Sequence, residues 1–320
     1  MRALTRILSA AALAFAAGAG AQDYPSKPIR VLVPFAPGGA VDTTARILAQ
    51  KMTERLGWQF VVDNRPGGNG FIATTAVAKA APDGYTLLMA HTGEFAVNPA
   101  VFANVPYDLD RDFIPITMVS DAPMLYLANS QVPFNTFLEL VAAAKAKPGA
   151  ISFSSAGNGS INHLAGEWLA LAAGVKMLHV PYKGGAPAAT AIAAGDVQLG
   201  VVSIPGATPH LKSGRAKVLG ITTAKRSALD PAWATPRDAG LDVDASIWVG
   251  LLAPKGVPQP IIERLNVEVR RTLDDPDVRK RYADQGFETV VMSSADFHER
   301  IKKDAERYKA VVQAAGIKPE

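Results

Sequence analysis

The sequence contains no cysteine. That excludes a disulfide framework, a thiolate nucleophile and any Cys-ligated metal. Histidine is scarce as well: the five are widely spaced, with no H-x-x-x-H pair to ligate a metal from one helix face. Charge of one sign is lacking, with 33 Lys and Arg against 29 Asp and Glu. The basic residues are scattered rather than striped, and the cluster RKRYADQGF sits in a mixed-charge helical region where it reads as a solvated face, so the footprint of a nucleic-acid binder is missing. Beyond residue 21 no apolar run reaches the roughly 20 residues that span a bilayer. Three motifs are absent too. There is no G-x-x-x-x-G-K-[ST], Gly157-x-Gly159 lacks the third glycine of a dinucleotide fingerprint, and GNGSI is not the G-x-S-x-G of a nucleophile elbow.

What is present begins with an export signal. Arg2 and Arg6 precede the apolar run ILSAAALAFAAGAGA, and Ala19-Gly20-Ala21 has the small-x-small pattern of a cleavage site, so residues 1–21 read as a cleaved signal peptide and the mature chain starts at Gln22. Two arginines and no acid leave with it, which lowers the formal net charge from +4 to +2. An exported chain with neither disulfides nor an anchor must be stabilised by its core, and this fits a bacterial periplasm. The 320 residues, 48% of them hydrophobic, are enough for about two domains and exclude disorder.

From Ile29 on, short apolar runs alternate with helical patterns at intervals of roughly 25 to 30 residues, the pattern of parallel strands joined by helices in an α/β fold. Strands are expected at IRVLVPF, FVVDN, TLLMAH, ISFSS, MLHVPY, VQLGVVS and KVLGITT, each followed by a turn and a helix. The first helix, near 42–56, aligns Ala45, Leu48, Met52 and Leu56, with Gly57 as its stop; a second, near 161–173, aligns Ile161, Leu164, Trp168 and Leu171, with Gly174 as its stop. Two long apolar strands followed by proline, at 123–134 and 247–258, read as crossings between lobes. They divide the chain into a first lobe of 22–123 plus 248–320 and a second of 124–247. The charged helical C-terminus packs onto the first lobe.

The loops at the strand ends carry the chemistry. In open α/β sheets a helix that starts at the carboxyl end of a strand presents unpaired N–H groups and the positive end of its dipole. Pro37, Gly38, Gly39, Ala40, Val41 and Asp42 form one such cradle, and the glycines let backbone approach a ligand. Asp42 is expected as the N-cap, since a carboxylate aimed at an anion would repel it. Ser154, Ser155, Ala156, Gly157, Asn158, Gly159 and Ser160 form a second cradle in the other lobe, with Ser160 as N-cap. A third loop, PYKGGAPA, adds Tyr182 and Lys183, and a fourth, VSIPGATP, places Ser203 at a strand end. The glycine-rich RPGGNG segment either lines the cleft or packs the lobes. Neither of the first two cradles contains Lys or Arg, and recognition by neutral donors suits a carboxylate better than a phosphate. No cofactor is called for. Ser160 and His163, three apart on one helix, raise a rival reading, a secreted serine hydrolase using Ser160 or Ser155, but the sequence places no acid to orient the histidine.

Taken together, YPSKPIRVLVPFAPGGAVDTTARILAQKM, VVDNRPGGNGFIATTAVAKAAPDGYTLLMA, FSSAGNGSINHLAGEWL, VPYKGGAPA and PHLKSGRAKVLGITTAKRS resemble the Bug (Bordetella uptake gene) solute receptors of tripartite tricarboxylate transporters. The resemblance covers essentially all of the mature chain, in order. It implies a monomeric, non-enzymatic type II periplasmic binding protein, two lobes closing like a flytrap on a small organic acid and passing it to membrane permease subunits. It implies that Pro37–Asp42 and Ser154–Ser160 hold a carboxylate, and that Phe35, His91, Thr92, His163, Tyr182, Lys183 and Ser203 stand near the rest of the ligand. Family members often carry Asp or Asn where this chain has Ser203-Ile204. With few acids near the loops to meet an ammonium group, a plain mono- or dicarboxylate, aromatic ones included, is the expected ligand. A role as sensing partner of a membrane kinase is the alternative within the same class.

Overall fold

The computed structural model describes residues 24–319, so the signal peptide expected over 1–21 lies outside the described residues. Among the described residues no helix is long and apolar enough to cross a membrane. The chain opens as a parallel unit, β1 (Ile29–Val33), α1 (Ala40–Leu56), β2 (Phe60–Asn64), α2 (Phe71–Ala78) and β3 (Thr86–His91), with β1 between β2 and β3. Ala45, Leu48 and Met52 of α1 are buried as their spacing requires, and Gly57 ends the helix in the left-handed conformation at φ 70.

Then comes β4 (Phe113–Asn129), a 17-residue strand that runs through the middle of the molecule. Beyond it lie α3 (Phe137–Ala146), β5 (Ser152–Ser155), α4 (Ile161–Ala173), β6 (Leu178–Pro181), α5 (Gly185–Ala194), β7 (Leu199–Ser203), α6 (Ile204–Lys212) and β8 (Ala216–Ile221). Here β5 pairs in parallel with both β6 and β7, repeating the first unit's pattern. On α4, Ile161 and Leu164 are buried, but Leu171 is 39% exposed, contrary to the expected stripe. Ten residues at 100° each fall 80° short of three turns, so the buried face drifts to Leu169 and Ala173. Trp168, expected in the core, is partly buried at its margin, edge-on to Tyr308 at 6.1 Å.

The chain returns through β9 (Ser246–Pro254) into α7 (Gln259–Leu273), α8 (Pro276–Asp284), the two-residue β10 (Glu288–Thr289) and α9 (Ser294–Ala314). The all-parallel expectation is corrected here. β9 runs antiparallel to β3 and, from Pro254 opposite Phe113 to Ser246 opposite Pro123, antiparallel to β4. One residue later β4 changes partners, pairing antiparallel with β7 from Met124 and with β8 from Leu125. A chain that leaves and returns through one junction must run in both directions there. β8 is also followed by a loop and the short turn Pro236–Ala239 rather than the expected helix. At the junction Thr92 Oγ1 donates to Ser246 O at 3.1 Å and accepts from the Trp248 amide at 2.9 Å, stitching the end of β3 to β9. The C-terminal helix α9 packs on β4 and also reaches α4.

Candidate functional site

Two cavities open between the halves, and Ile247 of β9 lines both. The larger, about 310 Å³, has Phe35, Asn69, His91 and Asn98 on one side and Ala156, Asn158, Gly159, Ser160 and Asn162 on the other. The smaller, about 160 Å³, has Gly38, Ala40 and Thr43 facing Ser203, Ile204 and Pro205, with Ala122 and Pro123 of β4 between them. Among the described residues no Lys, Arg, Asp or Glu lines either. The segments also touch: a Cβ placed on Gly159 would sit 3.4 Å from a Val101 methyl of the opposite half.

The first cradle differs from expectation in its cap. Gly39, not Asp42, is the N-cap of α1. Asp42 stands in the first turn, only 2% exposed, and its carboxylate reaches back to accept the Gly38 amide at 2.8 Å. Arg46 Nε donates to it at 2.9 and 3.0 Å and Asn64 Nδ2 at 2.9 Å. Burial alone would raise its pKa, but these donors, Arg46 foremost, hold it below the ordinary value. The Gly38 N–H is therefore consumed inside the loop. The amides of Ala40, Val41 and Asp42 have no acceptor among the described residues, as a first helical turn dictates. Val41's side chain is buried in the core behind them.

In the second cradle Ser160 is the N-cap of α4: its hydroxyl donates to Gly157 O at 2.7 Å and accepts from the His163 amide at 3.2 Å. Gly157 and Gly159 take φ of 134 and 67, which L side chains rarely adopt. The Gly159 amide donates to His163 Nδ1 at 3.2 Å, and the His163 ring stacks on His179 at 3.7 Å. His179 Nε2 meets Ser155 Oγ at 2.7 Å. Burial, with the nearby His163, pushes His179 down to about 4, so it is neutral at neutral pH and acts as hydrogen-bond partner to Ser155. No carboxylate contacts the other nitrogen of His179 among the described residues, and the Ser160 hydroxyl is engaged by Gly157, so neither serine sits in a serine–histidine–acid relay. The amides of Ile161 and Asn162 have no acceptor among the described residues, while Asn162 Nδ2 donates to Val201 O at 2.9 Å and ties the helix start to β7.

Of the remaining residues singled out, Phe35 and His91 share one wall, their rings 4.5 Å apart. His91 Nδ1 lies 2.8 Å from Oε2 of fully buried Glu94; burial lowers the His91 pKa, but the charge and hydrogen bond of Glu94 outweigh it and raise the value. Thr92 and Ser154 face inward, Thr92 to β9 and Ser154 Oγ to Ala188 O at 3.1 Å. Pro37, Tyr182 and Lys183 line neither cavity, and the Tyr182 and Gly184 amides instead bond Ser155 O and Ala156 O, bracing the second cradle from below. His163 lines a neighbouring cavity with Val101 and Lys318. The RPGGNG segment reaches the larger cavity through Asn69, in the left-handed region at φ 49, whose carbonyl accepts from Asn98. Sequence reasoning missed Asn98, Phe102, Ile247, Ala122, Pro123 and the turn Gln285–Phe287. An asparagine ahead of a proline, or an apolar crossing strand, carries no local sign of what it will face.

The pattern of the tripartite tricarboxylate transporter family receptor matches residues 44–317. Protein BugT of Bordetella pertussis is 34% identical over 322 residues, covering 98% of this chain and 99% of that one. Among solved structures, an R. palustris protein with adipate superimposes with a TM-score of 0.81 at 32% identity, covering 93% of this chain and 100% of the other. MatC from Rhodopseudomonas palustris with bound malate gives 0.74 at 33% identity, covering 90% and 100%.

Proposed function

Because the chain belongs to the tripartite tricarboxylate transporter receptor family, we propose that it is a periplasmic, non-enzymatic receptor whose interlobe cleft takes up a small organic carboxylate and presents it to the membrane permease. The observation that carries this reading is a helix start at each of the two interlobe cavities, which share Ile247 in their lining. The unpaired amides of Ala40–Asp42 head the helix at the smaller, those of Ile161 and Asn162 the helix at the larger, and among the described residues no Lys, Arg, Asp or Glu lines either. Each helix start favours an anion by its dipole and its free donors. Hydrogen bonds to a charged group contribute about 1.5–3 kcal/mol each, so four or five, less the cost of association, suffice for the roughly 8 kcal/mol of micromolar binding.

The lining also narrows the ligand. Phe35, Val97, Phe102, Ile161 and Ile247 give the larger cavity apolar faces, and asparagine amides supply neutral donors and acceptors. An ammonium group would find no carboxylate partner there, which favours a plain mono- or dicarboxylate with a hydrocarbon stretch over an amino acid. The relatives with adipate and malate bound belong to the same chemical class. Calorimetric titration of protein refolded from denaturant, to strip any resident ligand, against C3–C8 mono- and dicarboxylates and benzoates tests the reading. Saturable one-to-one binding of a carboxylate at micromolar strength is expected; a folded protein that binds none of them overturns it.

A further inference from the structure

Neither cleft cavity, taken singly, is as large as a third one. This cavity, of about 470 Å³, lies beside the cleft at the junction, separated from the smaller cleft cavity by Ala122 and Pro123, which line both. Its charges are unlike those of the cleft. Three acids stand in its wall, and each is already engaged within the protein. Asp121 accepts the Ala122 amide at 3.0 Å and faces Arg300 at 3.5 Å. Asp244 accepts the Ala224 amide at 3.0 Å and Arg307 at 3.0 Å. Glu288 takes the Ser227 hydroxyl and the Ala228 amide, the latter at 2.9 Å. The cations outnumber them. The ammonium groups of Lys225, after β8, and Lys303, on α9, have no hydrogen-bond or ion-pair partner among the described residues, and the Arg237 guanidinium has only Asp242 at 3.8 Å, on a largely exposed pair.

We propose that this junction cavity is a second ligand site, separate from the cleft, for a small, multiply charged anion held between Lys225 and Arg237 on one side and Lys303 on the other. Like charges gathered around one concavity repel, and among the described residues the one wall acid without a basic partner is Glu288, held by a hydroxyl and an amide. It offsets only part of the charge of Lys225, Arg237 and Lys303, and a polyanion meets cations from both walls at once. Arg300 and Arg307 are fixed behind them by Asp304 and Asp244, at 2.7 and 3.0 Å, so the floor is preorganised. The inference does not rest on the identity of the cleft's ligand.

Pyrophosphate and citrate carry the same recognisable chemistry from two sources, and the test uses both. Each is titrated calorimetrically at low ionic strength into the wild-type protein and into the doubly substituted Lys225→Gln, Lys303→Gln protein. Both lysines are exposed, and an unchanged thermal midpoint verifies that folding is intact. Expected is a saturable site whose affinity falls by about tenfold or more in the double variant, for one anion or both. Loss for pyrophosphate alone assigns a phosphate guest, and loss for citrate alone a polycarboxylate. No saturable binding of either anion, or equal affinity in both proteins, overturns the proposal.

Discussion

His179 and His91 belong to opposite halves, and their pKa values are shifted in opposite directions. His179 is pushed down to about 4 by burial and by His163, against 6.5 for a free histidine. The unfolded chain takes up that proton first, so the stabilisation is complete above about pH 6.5 and is lost as the pH falls toward 4. His179→Gln keeps a partner for Ser155 and removes the titration; urea midpoints between pH 7 and 4.5 should fall less steeply in the variant, and identical slopes would contradict the assignment. His91 runs the other way. Glu94 raises its pKa despite burial, so the imidazolium beside the larger cavity persists below that raised value and is lost as the pH climbs through it. Carboxylate affinity should decline over that rise, and Glu94→Gln should move the decline to lower pH; calorimetry across pH 5–9 on both proteins reads it, and a flat wild-type profile argues against His91 as a neighbour of the ligand. At this scale some of the site was legible. Ser160 as a cap follows from its position ahead of an apolar stripe, because capping is local chemistry. Asp42 was misplaced by three residues because two glycines before a helix leave the cap ambiguous, and only Arg46 and Asn64, 4 and 22 residues away, decide where its carboxylate goes. Asn69 and Asn98 could not be singled out, since they meet across 29 residues of chain.

The elements fix where the two helix starts point. Gly159 is where that arrangement meets the opposite half, with positive φ and Val101 3.4 Å from its Cβ position. Gly159→Leu strains the backbone by about 1 kcal/mol and puts a side chain where the halves meet. A thermal midpoint lowered by a few degrees with carboxylate affinity reduced at least tenfold is expected; undiminished affinity would remove this loop from the site. Thr92 makes the corresponding point for the junction. Thr92→Val removes both hydrogen bonds that join the end of β3 to β9 and leaves a buried carbonyl and amide unpaired, at a cost of about 2 kcal/mol, to be read from chemical denaturation; a loss under 0.5 kcal/mol would mean the strands are held by packing alone. The seven strands read from the sequence all form, because each is a short β-rich apolar run closed by a turn, and Gly57 and Gly174 stop their helices by the left-handed conformation. Strand direction was not legible in the same way. That β9 runs against both β3 and β4 follows from the return of the chain, a long-range fact that no window of sequence contains.

For the whole molecule, the important event is the change of partners along β4, from β9 through Pro123 to β7 at Met124. We take this as the boundary between lobes, close to the division expected from the two proline-ended strands. It places Ala122, Pro123 and Ile247 at the floor of the space between the halves, so the strands that join the lobes also form the bottom of the cleft. Helix α9 spans the back of the junction, packed on β4 and reaching α4, and any closing motion must slide or bend at that contact. The central claim is that a carboxylate is held by the free amides at the starts of α1 and α4. Its most direct test is an amide nitrogen–proton correlation spectrum of the ligand-stripped protein, recorded with and without the tightest carboxylate from the titration panel. The account predicts that Ala40–Asp42 and Ile161–Asn162 show the largest downfield proton shifts, both groups saturating with one affinity. Binding that leaves either group unmoved would contradict it.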